Sequence, residues 1–162
     1  MKKSLLTAMI LAVVSQTAIA KTSPNQWGNI FEQGYMFYYL TNPKNNVLRI
    51  TCNVSNTGDN EHDVAIESDF DLAESQFAYD NMSDLIFQFD GQVKMQLSNQ
   101  DTKSPKGSMQ WTQFIKKIHQ AKQIDVFIDN KKTATFYPTA SSKKYDLKSI
   151  EKDCRPMLLW QD

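Results

Sequence analysis

Glycine and cysteine are scarce in this chain, five and two residues in 162, and the glycines are scattered. Without clustered glycine there is no loop of the kind that cradles a phosphate. Two cysteines at 52 and 154, with no C-x-x-C pair, argue against a thioredoxin-like redox motif. No G-x-S-x-G or H-E-x-x-H occurs, so neither a nucleophile elbow nor a helical zinc pair is written in the sequence. No apolar run approaches the ~20 residues that a membrane-spanning helix needs. Basic residues are missing from one long stretch: Ile50 to Val93 holds no Lys or Arg but ten acids. From Lys94 to Arg155 the balance reverses, thirteen basic residues against six acidic, a local +7.

Formal charge over the whole chain is zero, which gives nucleic acid no long-range attraction. The two charged halves either pair within the fold or form a binding face, and the sequence favours mutual neutralisation. Neither a cofactor nor a metal is expected. His119 has no His, Asp or Glu four residues away on either side, and reads as a surface residue. His62 lies in Asp59-Asn60-Glu61-His62-Asp63, where oxygens alternate as in a calcium loop. Val64 replaces the turn glycine and Phe70 the twelfth-position acid, so a solvated acidic loop is expected there.

The segment that is apolar comes first. Lys2 and Lys3 precede Leu5–Val14, and Ala18-Ile19-Ala20 offers a small-x-small cleavage site, the pattern of a secretory signal peptide over residues 1–20. Lys21 follows the site, so no lipid attachment is implied. The expectation is a bacterial protein of 142 residues (21–162), periplasmic or secreted, forming a single globular domain. Loss of Lys2 and Lys3 leaves 16 bases against 18 acids, about −2. In an oxidising compartment Cys52 and Cys154 are expected to form one structural disulfide.

Along that domain, Tyr35–Leu40 reads as an aromatic strand. Val47–Val54 alternates, with Leu48, Ile50, Cys52 and Val54 on the core side. Val64–Ile66 is a possible strand. Asp90-Gly91 joins Leu85–Phe89 to Val93–Leu97 in a predicted hairpin. After a loop over Asn99–Gly107, Ser108 is placed as the cap of a helix that buries Trp111, Phe114, Ile115, Ile118 and Ala121. Ile124–Ile128 and Thr133–Tyr137 pair around Asp129-Asn130-Lys131. A short helix is predicted over Asp146–Cys154, stopped by Pro156, and Met157–Trp160 is read as a final strand or a docking tail. The fold class is α+β, mainly β: a single antiparallel β-sandwich-like domain with one amphipathic helix, a short C-terminal helix and one disulfide.

The run Trp111, Phe114, Ile118, Ala121, Ile124, Val126, Phe136, Leu147, Ile150 and Cys154 resembles the tail of small periplasmic β-sandwich proteins of the invasion-associated locus B kind. The likeness spans about 45 residues and implies compartment and fold class, not an activity.

No catalytic set emerges, so the first functional expectation is a non-enzymatic envelope domain that binds another protein, in the manner of an inhibitor or immunity factor. Its basic partner would meet an acidic loop at Asp59, Glu61 and Asp63, with Tyr35, Tyr39 and Trp160 as aromatic contacts. A structural or accessory subunit of an envelope or secretion assembly is the alternative. A small hydrolase using paired carboxylates comes last.

Overall fold

Four strands of the first sheet are laid down by turns and alternation. The computed structural model describes residues 23–55, 62–67, 85–97 and 102–160. Strand β1 (Trp27–Glu32) meets β2 (Tyr35–Thr41) through Gln33 and Gly34, both at positive φ, 50° and 87°. This is the left-handed pair that a two-residue hairpin needs to follow strand twist. Strands β3 (Val47–Asn53) and β4 (Asp63–Glu67) complete an antiparallel sheet in the order β1-β2-β3-β4.

The second sheet has the order β6-β5-β7-β8, with β5 Leu85–Phe89, β6 Met95–Gln96, β7 Ile124–Ile128 and β8 Lys131–Phe136. Asp90-Gly91 and Asp129-Asn130 turn its two hairpins, each pair at positive φ. The predicted Val93–Leu97 strand contracts to Met95–Gln96, paired with Phe87 and Ile86.

Helix α1 spans Pro105–Gln120 and packs Trp111, Phe114, Ile115 and Ile118 into the core, none more than 3% exposed. It starts three residues before the expected cap. Ser104 is the N-cap, its Oγ accepting from Gly107 N at 3.1 Å. Pro105 follows it, where a missing N–H costs nothing; Ser108 is buried inside the first turns.

Of the predicted helix over Asp146–Cys154 only α3 (Ile150–Asp153) is regular; an unpredicted helix, α2 (Ala140–Asp146), precedes it and ends at the fully buried Leu147. Thr139 caps α2 by accepting from Ser142 N. Met157–Trp160 is a 3-10 turn rather than a strand. It is tied to Thr102 through Met157 N–H to Oγ1 (3.2 Å) and Leu158 N–H to the carbonyl (3.1 Å).

One core joins both sheets and α1. Trp27, Tyr38, Leu40, Leu48, Ile50 and Cys52 come from the first sheet, and Phe87, Phe89, Ile124, Val126 and Phe136 from the second. Phe114 bridges them to the helix, its ring 4.9 Å from Phe87 and edge-on, a favoured aromatic geometry. The fold class is α+β, mainly β, with two four-stranded antiparallel sheets and the Cys52–Cys154 disulfide. Residues 1–20 lie outside the described residues, and no described helix is long and apolar enough to cross a membrane.

Within the β1–β2 turn, the Gly34 position is crowded by Ser55. At Gly34 a Cβ would stand 2.6 Å from Ser55 Oγ, and the Gly34 carbonyl accepts from both Val54 N and Ser55 N. Gly34→Ala combines that clash with a strained positive φ, and is expected to cost about 2 kcal/mol. A urea titration checks this: the midpoint should fall while the m-value stays constant.

Candidate functional site

Two faces of the first sheet are unlike. Its inner face carries the core residues; its outer face is read directly from strand register. One row across that face is Ile30, Phe37, Thr51 and Asp63; the next is Gly28, Tyr39, Arg49 and Ala65. Tyr35 lies one row beyond, opposite Glu32 and Asn53, and Glu67 lies opposite Val47 at the other end. Residues i and i+2 on a strand share a face, so β2 puts Tyr35, Phe37 and Tyr39 outward, all half-buried. The rings of Tyr35 and Phe37 are 6.2 Å apart.

Gly28 leaves the ground beside Tyr39 low, and the C-terminal end of α2 borders the same edge, where Asn29 Nδ2 donates to the Asp146 carbonyl at 2.8 Å. Burial, and then the nearby Asp146 charge, raise the Tyr39 hydroxyl above the usual phenol range. Phe31 on β1 is 61% and Tyr145 on α2 69% exposed, but Phe31 pairs with Met36 and so lies on the opposite face from Phe37. Singly exposed apolar residues are ordinary, but contiguous aromatic surface marks interaction sites.

The polar part of the face is built around Arg49, whose Nε lies 3.3 Å from Glu67 Oε1. Burial raises the Asp63 carboxyl, opposed by the Arg49 charge and a backbone hydrogen bond from Val64. Glu67 is raised by burial too, with Arg49 opposing and Asp63 reinforcing. Four residues along a strand separate their Cα atoms by ~13 Å, and Arg49 faces Ala65 between them.

The structure therefore unites three expected contact residues, Tyr35, Tyr39 and Asp63, on one face. Asp59 and Glu61 lie outside the described residues, and Trp160 falls in the 3-10 turn, away from these strands in sequence and element.

His62 departs from its expected place in a solvated loop. It is fully buried, with Nδ1 accepting from Asn53 N–H at 3.1 Å and Nε2 2.7 Å from the Arg155 carbonyl. A carbonyl can only accept, so Nε2 carries the proton. The ring stacks on Trp111 at 5.1 Å, and Trp111 Nε1 donates to the Cys154 carbonyl at 2.7 Å. These contacts surround the Cys52–Cys154 bond, whose Cα atoms are 4.9 Å apart. Burial pushes the His62 pKa below its ordinary value, although its bond to the Arg155 carbonyl works the other way. The histidine is a fastener. Nothing in its sequence neighbourhood signals this, because its partners come from 9 and 93 residues away. His119 pairs with Glu151 at 2.9 Å. Among the described residues, no group of three or more His, Cys, Asp or Glu is placed to hold a metal.

These features define a disulfide-fastened, two-sheet α+β domain that offers an aromatic and charged sheet face. The chain belongs to the YfjT family, whose model matches residues 25–145. That stretch runs from just before β1 into α2 and stops short of Cys154. No curated protein and no solved structure matches the chain significantly.

Proposed function

We propose that this is a non-enzymatic periplasmic domain that binds another exported protein, inhibitor- or immunity-like, through the outer face of its first sheet. The observation that carries the reading is the convergence of Tyr35, Phe37 and Tyr39 on the sheet face turned away from the core, each half-buried. Tyrosine and phenylalanine are enriched where proteins meet, because they bury large area at little entropic cost. The signal-like N-terminus and the disulfide support an oxidising compartment. The partner is basic: Glu32, Asp63 and Glu67 accompany the single Arg49 on this face, and the acidic stretch from Asp59 to Asp84 lies next to it in sequence.

Replacing Tyr35 and Tyr39 together by Ala is expected to weaken partner binding about 30-fold or more, from ~1 kcal/mol or more for each interface aromatic. Affinity measured by calorimetry, beside the melting curve of the same variant, decides it. Unchanged affinity in a folded variant rejects the face. Neutralising Asp59, Glu61 and Asp63 should in addition flatten the salt dependence.

A further inference from the structure

The basic half of the chain has its own surface, separate from the sheet. Helix α1 contains no Asp or Glu. Beyond Pro105 its exposed positions are Lys106, Met109, Gln113, Lys116 and Gln120, spaced by three or four residues and so forming one continuous stripe. Lys117, half-buried, flanks the stripe, with Nζ 5.9 Å from the Phe89 ring centre. The opposite side of α1 is committed to the core through Trp111, Phe114, Ile115 and Ile118. Among the described residues Lys106 and Lys116 form no ion pair. The acids nearest this helix in the hydrogen-bond pattern already have partners: Glu151 pairs with His119 in the last turn of α1 itself, beside the stripe, and Asp90 accepts from the amides of Lys122 and Gln123.

We propose that this stripe is a docking surface for an anionic phospholipid bilayer. Charge complementarity is the first argument, because the stripe's own positions carry Lys106 and Lys116 and no acid, and the neighbouring Glu151 is already paired with His119. Side-chain type is the second. The stripe has no aromatic and no Arg, the residues that anchor protein interfaces, and Lys is depleted at such interfaces. Lysines are flexible point charges on apolar stems, suited to a diffuse layer of phosphate headgroups. Met109, 61% exposed between them, adds a small apolar contact at the headgroup level. Docking on charge alone is peripheral and reversible, since the apolar side of α1 stays in the core.

The test is vesicle sedimentation of the chain from Lys21 to Asp162, which carries every described element. The vesicles are phosphatidylcholine with and without about a third phosphatidylglycerol, at low and high salt. Each lysine near such a surface is worth ~1 kcal/mol, about fivefold in partitioning. Binding should require phosphatidylglycerol and fall away at high salt. The triple variant Lys106→Gln, Lys116→Gln, Lys117→Gln should lose about 100-fold, with its melting curve retained. Equal binding to both vesicle types, full binding by the triple variant, or no binding at low salt overturns the proposal. So does recovery of the wild-type chain on an acidic polypeptide in preference to these vesicles. Tyr35→Ala with Tyr39→Ala should leave vesicle binding unchanged, so the outcome is independent of the reading of the sheet face.

Discussion

Reducing the Cys52–Cys154 bond lowers the stability of the domain by about 4 kcal/mol. The two cysteines are 102 residues apart, and in the chain-entropy model a cross-link closing a loop of ~100 residues withholds up to ~4.7 kcal/mol of freedom from the unfolded chain. Both cysteines are buried in the native state, Cys52 at 0% and Cys154 at 1% exposure, so reduction must also seat two non-bonded thiols where one bond stood. The difference between oxidised and reduced wild type therefore reports the cross-link together with that repacking. Cys52→Ala with Cys154→Ala should be somewhat worse, because it also removes the buried sulfur atoms. Urea unfolding with and without reductant checks the first figure. A loss under 1 kcal/mol would mean that the noncovalent contacts around the bond already hold the C-terminal segment to β3.

Those contacts give the second expected result: stability falls as the medium is acidified below about pH 6.5, and His62 is the cause. Free histidine titrates near 6.5, whereas burial holds the folded-state value lower. Between the two values the unfolded chain binds the extra proton, so unfolding becomes easier as pH drops. The contribution is complete above the unfolded value and is lost at up to ~1.4 kcal/mol per pH unit on the way down to the folded one. Geometry gives the same sign: a proton on Nδ1 would face the Asn53 N–H, donor against donor. His62→Gln, which keeps a donor and an acceptor, should be less stable by about 2 kcal/mol at pH 7.5, yet nearly insensitive to pH between 7.5 and 5.5. Asp63 and Glu67 are raised by burial and act oppositely. Their added stability is present at low pH and is lost as pH rises through their folded-state values. They are common to both proteins and cancel in the comparison. Parallel pH profiles for the two proteins would remove His62 as the source.

Much of this fold was legible where a residue acts through its own neighbours in sequence. The alternation in β3, with Leu48, Ile50 and Cys52 inward, is a property of seven consecutive residues. So are Asp90-Gly91 and the apolar spacing of α1. The missed elements obey longer-range rules. Strand β1 mixes Trp27, Gly28 and Asn29 with no alternation strong enough to read, and is fixed by full-length pairing to β2. Helix α2 has a single buried residue, Ser142, and no apolar stripe. Its cap at Thr139 and its end at the buried Leu147 define it, and the sequence pattern instead merges its last residue with α3. The sheet face shows the same division. That Tyr35, Phe37 and Tyr39 share one side of a strand is plain from parity. That this side is the one away from the core, with Arg49, Asp63 and Glu67 in register beside it, depends on pairings up to 20 residues apart, as between Val47 and Glu67.

The claim that this face binds a partner is tested most directly by site-specific photocrosslinking in the cell envelope. A photoreactive phenylalanine analogue is placed at Tyr39 on the first sheet, and in a second strain at Thr133, exposed on β8. One discrete adduct is expected from Tyr39, diminished when Tyr35 is also changed to Ala, and none of that mass from Thr133. Absence of any adduct from Tyr39 in the oxidised, folded protein, or the same adduct from both positions, would contradict the claim.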